Sequence, residues 1–72
     1  MTDSFGVILA RLRRAAALTQ YGLAKKAGLS PIHVARLEAE RQLPSLETVK
    51  KLAAALGVSL AVFDELKEAG NG

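Results

Sequence analysis

Residues 20–39 read QYGLAKKAGLSPIHVARLEA, and the spacing of apolar, small and turn-forming residues in this stretch specifies two short helices joined by a tight turn. Leu23, Ala24 and Ala27 lie at i, i+1 and i+4, and Leu29, Val34 and Leu37 supply the next apolar positions. Gly28 makes the reversal possible. After so short a helix the chain needs a residue tolerant of positive φ, which glycine adopts without the steric penalty of a Cβ. Ser30 restarts the helix with a hydroxyl suited to capping its first N–H groups, and Pro31 at the first helical position gives up no hydrogen bond. Small Ala24 allows the two helices to cross closely.

Working outward, five helices are expected. The first runs from about Ser4 to Ala17, with Phe5, Ile8, Leu9, Leu12 and Ala16 repeating at three and four residues as a buried stripe. Thr19 caps the second, which ends near Ala27, and the third continues from Pro31 to about Glu40. Arg41-Gln42-Leu43-Pro44 reads as a connection. Ser45 caps a fourth helix with Leu46, Val49, Leu52, Ala53 and Leu56 inward, and Gly57 ends it. Ser59 caps a fifth with Leu60, Phe63 and Leu66 inward, and residues 68–72 fray as a tail. The expected fold is an all-α five-helix bundle in one domain, with a core of about residues 4–67 and no internal repeat or linker.

Composition narrows the function classes. Seventy-two residues suffice for one small core but not for a cleft between lobes. Half the residues are hydrophobic while only three are aromatic, which suits short, closely packed helices. The chain has no cysteine and one histidine, so neither a disulfide nor a metal or cofactor site is expected, and a reducing cytoplasm suits it. No apolar run approaches the ~18 residues of a membrane span, and the first ten residues carry an acid where a signal peptide has a basic start. No nucleophile–base arrangement or phosphate-binding glycine loop appears, so an enzyme is not expected.

Charge is unevenly distributed. Up to Arg36 six basic side chains stand against Asp3 alone, a net +5, whereas from Leu37 onward four basic face six acidic side chains, a net −2. Such asymmetry suits a face that meets a polyanion, and it is equally the signature of a solvated charged surface.

By its spacing the 20–39 unit is a helix-turn-helix, the two-helix device that enters DNA. Leu12-Arg13, Leu18-Thr19-Gln20, Leu23-Ala24, Ala27-Gly28-Leu29-Ser30, Leu37-Glu38, Pro44-Ser45-Leu46-Glu47-Thr48 and Leu56-Gly57-Val58-Ser59-Leu60 together resemble the Cro/C1-type (XRE-like) helix-turn-helix family of phage repressors, restriction-modification controllers and bacterial antitoxins. The resemblance runs from Phe5 to Leu66. It implies a lambda-repressor-like bundle that binds an inverted-repeat operator as a homodimer, with the third helix in the major groove of double-stranded DNA.

Roles for individual residues follow from that resemblance. Gln20, opening the second helix, falls where the family contacts a phosphate, with Ser30, His33, Arg41 and Gln42 as further phosphate candidates around the third helix and the loop after it. Base reading falls to Pro31, Ile32, Ala35 and Arg36. A guanidinium suits guanine O6 and N7 with two parallel hydrogen bonds, which makes Arg36 the leading candidate, with a phosphate contact as the alternative. For Pro31 and Ile32 two readings stay open: contact with thymine methyl groups, or simple capping and shielding of the helix. Arg13 and Glu38 match the family's structural salt bridge, which is preferred to a DNA contact by Arg13.

Partners follow from the last helix. Ala61 and Val62 stand where the family often carries acids, so Leu60, Val62, Phe63 and Leu66 form an apolar arc suited to a dimer interface. The expected function is a sequence-specific transcriptional regulator, cytoplasmic and nucleoid-associated. The alternative is an antitoxin-like protein whose main task is to bind another protein such as a toxin. Three positions depart from the family pattern: Ala17 and Glu40 replace glycines that often end the first and third helices, and Gly22 replaces a glutamate that often completes a capping box with Thr19. If Ala17 or Glu40 is left-handed, strain of about 1 kcal/mol follows.

Overall fold

The computed structural model describes residues 3–63. Four α-helices, α1 (Phe5–Ala15), α2 (Gln20–Ala27), α3 (Pro31–Glu38) and α4 (Leu46–Leu56), are followed by a short 3-10 helix at Leu60–Phe63. Each α-helix starts in the same way. Ser4, Thr19, Ser30 and Ser45 hold extended backbone, and their hydroxyl oxygens accept hydrogen bonds from the N–H groups of Val7, Gly22, His33 and Thr48. Each cap satisfies one of the orphan donors that open a helix, a contribution of about 1 kcal/mol.

The helices also end alike. The chain leaves them through Ala17, Gly28, Glu40 and Gly57, with φ of 60°, 73°, 60° and 71°. The N–H of the next residue then donates to a carbonyl five residues back: Leu18 to Arg13 at 3.1 Å, Leu29 to Ala24 at 2.8 Å, Arg41 to Arg36 at 2.9 Å, and Val58 to Ala53 at 3.0 Å. This is the Schellman closure, and it requires the left-handed residue whatever its identity. Leu18, Leu29 and Val58 fold down against the core and lock three of the four ends. At the end of α3 the corresponding residue is Arg41, which is exposed.

The core is built around Leu9, Leu23, Val34, Leu37 and Leu52, all essentially inaccessible to solvent. α2 lies centrally, packed against both α3 and α4, while α1 lies on α3. Fully buried Ala24 sits on the face of α2 that meets these helices. Phe5 from α1 and Phe63 from the 3-10 helix close the far side, their rings 5.1 Å apart and tilted by 37°. Gly6 lets α1 approach the end of α3: a Cβ there would lie 2.5 Å from the Glu38 carbonyl oxygen and 2.8 Å from that of Leu37. Among the described residues no helix is long and apolar enough to cross a membrane.

Several expectations are corrected. Four α-helices are present among the described residues, not five. The chain after Ser59 winds as a 3-10 helix, because the Ser59 hydroxyl accepts from Ala61, two residues on, and the Val62 N–H donates to the Ser59 carbonyl in a three-residue step. Leu66 lies outside the described residues. α1 stops at Ala15 and α3 at Glu38, each two residues short of the expected end, since the Schellman turn consumes the remainder. Ala16 is therefore exposed rather than part of the stripe. Leu46 is also exposed, because it lies in the first turn of α4, beyond the end of the core; Thr48 is buried instead and accepts a hydrogen bond from the Ser45 hydroxyl.

Ala17 carries the left-handed strain with no compensating side-chain bond among those observed, so Ala17→Gly is expected to stabilise the fold. The gain should be about 0.5–1 kcal/mol, the relief of strain less the added freedom of glycine in the unfolded chain. Chemical denaturation at constant m-value measures it; an unchanged or lowered midpoint would count against strain at this turn.

Candidate nucleic-acid interface

α3 presents two faces that follow from its residue order. At about 100° of rotation per residue, Val34 and Leu37 share one side, and both are buried. Pro31, Ala35, Ile32 and Arg36 fall in that angular order on the opposite arc. Pro31, Ile32 and Arg36 are exposed and Ala35 is half-buried. Ile32 is 62% accessible, a large apolar side chain held in water in the middle of this arc. Arg36 has no ion-pair partner among the described residues.

The rear of α3 is held by an ionic knot. Arg13 of α1 donates from Nε to Glu38 Oε2 at 2.6 Å and from Nη2 to Glu38 Oε1 at 3.1 Å. Its Nη1 donates to the Leu18 carbonyl at 2.9 Å. Gln20, the first residue of α2, donates from Nε2 to Glu38 Oε1 at 3.0 Å. One carboxylate thereby joins α1, α2 and α3. The two charged side chains are only 12% and 8% accessible. The hydrogen bond to Glu38 raises the Arg13 guanidinium above its ordinary pKa, burial pulls the other way, and the charge of Glu38 adds to the rise.

The phosphate candidates separate into two groups. Gln20 is half-buried with its amide turned toward Glu38, leaving its second amide hydrogen for another acceptor. Ser30 caps α3 through its hydroxyl oxygen, at 3.1 Å from the His33 N–H. His33 is half-buried, and its Nε2 lies 3.4 Å from Gln42 Nε2. The loop after α3 is thus drawn back along the helix, with Arg41 exposed and its backbone bonded to Arg36. Elsewhere, Arg11 pairs with Asp3 at 2.8 Å, and Lys25 lies 5.8 Å from the Tyr21 ring centre. Arg14 and Lys26 are exposed.

The apolar arc expected near the end of the chain divides. Leu60 and Val62 are exposed, at 38% and 39%. Phe63 turns inward against Phe5 and is 6% accessible, which removes it from an outer surface. Two features were not anticipated from the residue pattern. Leu43 is 91% exposed in the loop after α3; the signal was an apolar residue between Gln42 and Pro44 with no helical period to place it. Ser4 donates its hydroxyl hydrogen to the Glu40 carboxylate, joining the start of α1 to the end of α3 across 36 residues, a separation that no local pattern reports.

A family model described as helix-turn-helix matches residues 9–63, which contain α2, α3 and α4 entire. The chain belongs to the Cro/C1-type helix-turn-helix family. It is similar to the immunity repressor protein of Bacillus phage phi105, with 40% identity over 52 residues, or 72% of this chain and 36% of the repressor. The chain therefore spans about a third of that relative's length. Among solved structures it is similar to the restriction-modification controller protein C.AhdI of Aeromonas hydrophila, at 36% identity and a TM-score of 0.79, covering 81% of this chain and 88% of that one. The DNA-binding domain of the P22 C2 repressor superposes with a TM-score of 0.85 at 23% identity, covering 90% and 86%, a likeness of fold.

Removing the carboxylate at position 38 should strand a buried guanidinium. Glu38→Ala is expected to lose about 3–5 kcal/mol of stability, more than the intact pair contributes over an apolar replacement. Thermal or denaturant unfolding measures the loss; a cost under about 1 kcal/mol would class the pair with weak surface bridges.

Proposed function

We propose that the chain is a sequence-specific DNA-binding transcriptional regulator that places α3 in the major groove of an inverted-repeat operator as a homodimer. The observation that carries this reading is the position of Arg36: exposed, unpaired among the described residues, and projecting from the face of α3 opposite the core side chains Val34 and Leu37. A guanidinium held on a fixed helix reads guanine O6 and N7 with two parallel donors. Pro31, Ile32 and Ala35 form the rest of the base-facing arc. Gln20, Ser30, His33, Arg41 and Gln42 flank it as phosphate contacts, and the +5 half of the chain attracts the duplex. Membership of a family with repressors and controllers among the similar proteins supports the reading.

Selecting bound sequences from a random duplex pool with the purified protein tests it. An enriched inverted repeat is the expected result, with half-sites about one helical turn apart; no enrichment at low salt would overturn the reading. On the selected operator, Arg36→Ala should weaken binding by about 1–3 kcal/mol while leaving random-sequence DNA nearly unaffected. Equal losses on both would make Arg36 a phosphate contact.

Self-association is assigned to Leu60 and Val62, the exposed apolar side chains of the 3-10 helix, while Phe63 serves the core. Val62→Asp is expected to shift the protein toward monomer in sedimentation equilibrium. It should also weaken binding to the full inverted repeat much more than binding to a single half-site. An unchanged mass at every concentration would remove this surface from the dimer.

A further inference from the structure

Resting on the reading of α3 as the major-groove helix, we propose that Ile32 is a specificity-determining residue that reads the C5-methyl group of a pyrimidine. Ile32 sits at the centre of the exposed arc of α3, between Ala35 and Arg36 in angular order, and 62% of its surface is in water. A β-branched side chain this exposed gains nothing for the fold. It has few rotamers to lose on docking, which makes it a stiff apolar probe.

Its neighbours leave little else for this tip to do. Pro31 has no N–H, and Ala35 has no polar side-chain atom. The Ser30 hydroxyl oxygen caps the helix at His33, and the His33 ring nitrogen faces Gln42. Arg36, one turn further along the arc, is the side chain there with donors for a base edge. Charge as well as shape favours the occupant: the apolar tip lies in the half of the chain that carries net +5, which suits a polyanionic surface that presents an apolar spot. In the major groove of duplex DNA the C5-methyl of a pyrimidine is that spot. Thymine supplies it, and so does 5-methylcytosine.

The operator selected from the random pool provides the test. Each thymine of a half-site is replaced singly by uracil, which removes only the methyl group, and dissociation constants are measured for the native protein and Ile32→Ala. At one or two positions uracil should weaken native binding by roughly fourfold, the worth of one buried methyl-sized group, and the Ile32→Ala protein should no longer distinguish thymine from uracil there. Helical content and unfolding midpoint of the variant should match the native protein, because Ile32 lies outside the core. A second selection from a pool made with 5-methylcytosine separates the sources: enrichment of 5-methylcytosine at the same position shows that the methyl group alone is read, and retention of thymine alone shows that its pairing with adenine is also sensed. Equal binding of thymine and uracil at every position, or discrimination that survives in Ile32→Ala, overturns the proposal while the operator itself leaves the DNA-binding reading standing. Absence of any enriched operator overturns both.

Discussion

The carboxylate of Glu38 is the constraint on which the rest of the arrangement depends. A single side chain at the end of α3 accepts from Arg13 on α1 and from Gln20 at the start of α2, and Arg13 in turn holds the carbonyl of Leu18 in the turn between those helices. Burial of Val34 and Leu37 selects which face of α3 meets the core, although the apolar contacts themselves have no direction. Bidentate hydrogen bonds have direction. The knot therefore fastens, at the end of α3, the rotation that burial of Val34 and Leu37 selects, with Ile32 and Arg36 outward. It also couples the two ends of the surface, because Gln20 and the outward arc of α3 take their positions from the same carboxylate.

A second device works on the backbone. Four Schellman closures turn the chain tightly after every α-helix, so helices of eight to eleven residues pack without long loops. Two closures use glycine and two do not. Glu40 accepts a positive φ and at the same time its carboxylate receives the Ser4 hydroxyl, tying the end of α3 to the start of α1. Gly6 belongs to the same junction, where the absence of a Cβ admits the Glu38 and Leu37 carbonyls. Ala17 has no such bond, so the two non-glycine turns carry similar torsional strain with different compensation.

Much of this architecture was legible in the residue order, for physical reasons that also mark where legibility ends. Caps and glycine turns are local chemistry, so Thr19, Ser30, Ser45, Gly28 and Gly57 announced both limits of α2 and α4 and the start of α3 closely. Leu23, Val34, Leu37 and Leu52 announced the core through their period. The turns at Ala17 and Glu40 were harder to place because alanine and glutamate normally favour helix, and only the closing hydrogen bonds impose the left-handed form. Leu46 has the right period for the core but lies where α4 extends past it, a property of the packed bundle and not of the helix. Ser59 resembles the other caps in sequence, yet its hydroxyl bonds two residues on, and the segment tightens to a 3-10 helix. At the candidate site the outward identity of Ile32 and Arg36 followed from helical period. The contacts of Gln20 with Glu38 and of His33 with Gln42 did not, since both join residues that no single helix relates.

If α3 reads bases as proposed, its apolar tip changes how discrimination would arise. Contact with a methyl group is a modest gain, of the order of 1 kcal/mol. The opposite case is larger: a cytosine amino group or guanine carbonyl buried against Ile32 and Pro31 loses its water and finds no partner, at a cost of about 1–3 kcal/mol. A surface of this kind selects chiefly by penalising wrong base pairs rather than by rewarding the right one. In its proposed role Arg36 would work in the opposite sense, since its five N–H donors reward a guanine with bonds that the other bases do not complete. Placed one turn apart on α3, the two side chains would, on the proposed reading, divide a half-site into a position read by exclusion and a position read by hydrogen bonding. The positive charge of that half of the chain would add affinity that is indifferent to sequence. On that reading sequence discrimination would rest on few residues and on the rigidity of the support that the Arg13–Glu38 pair gives them.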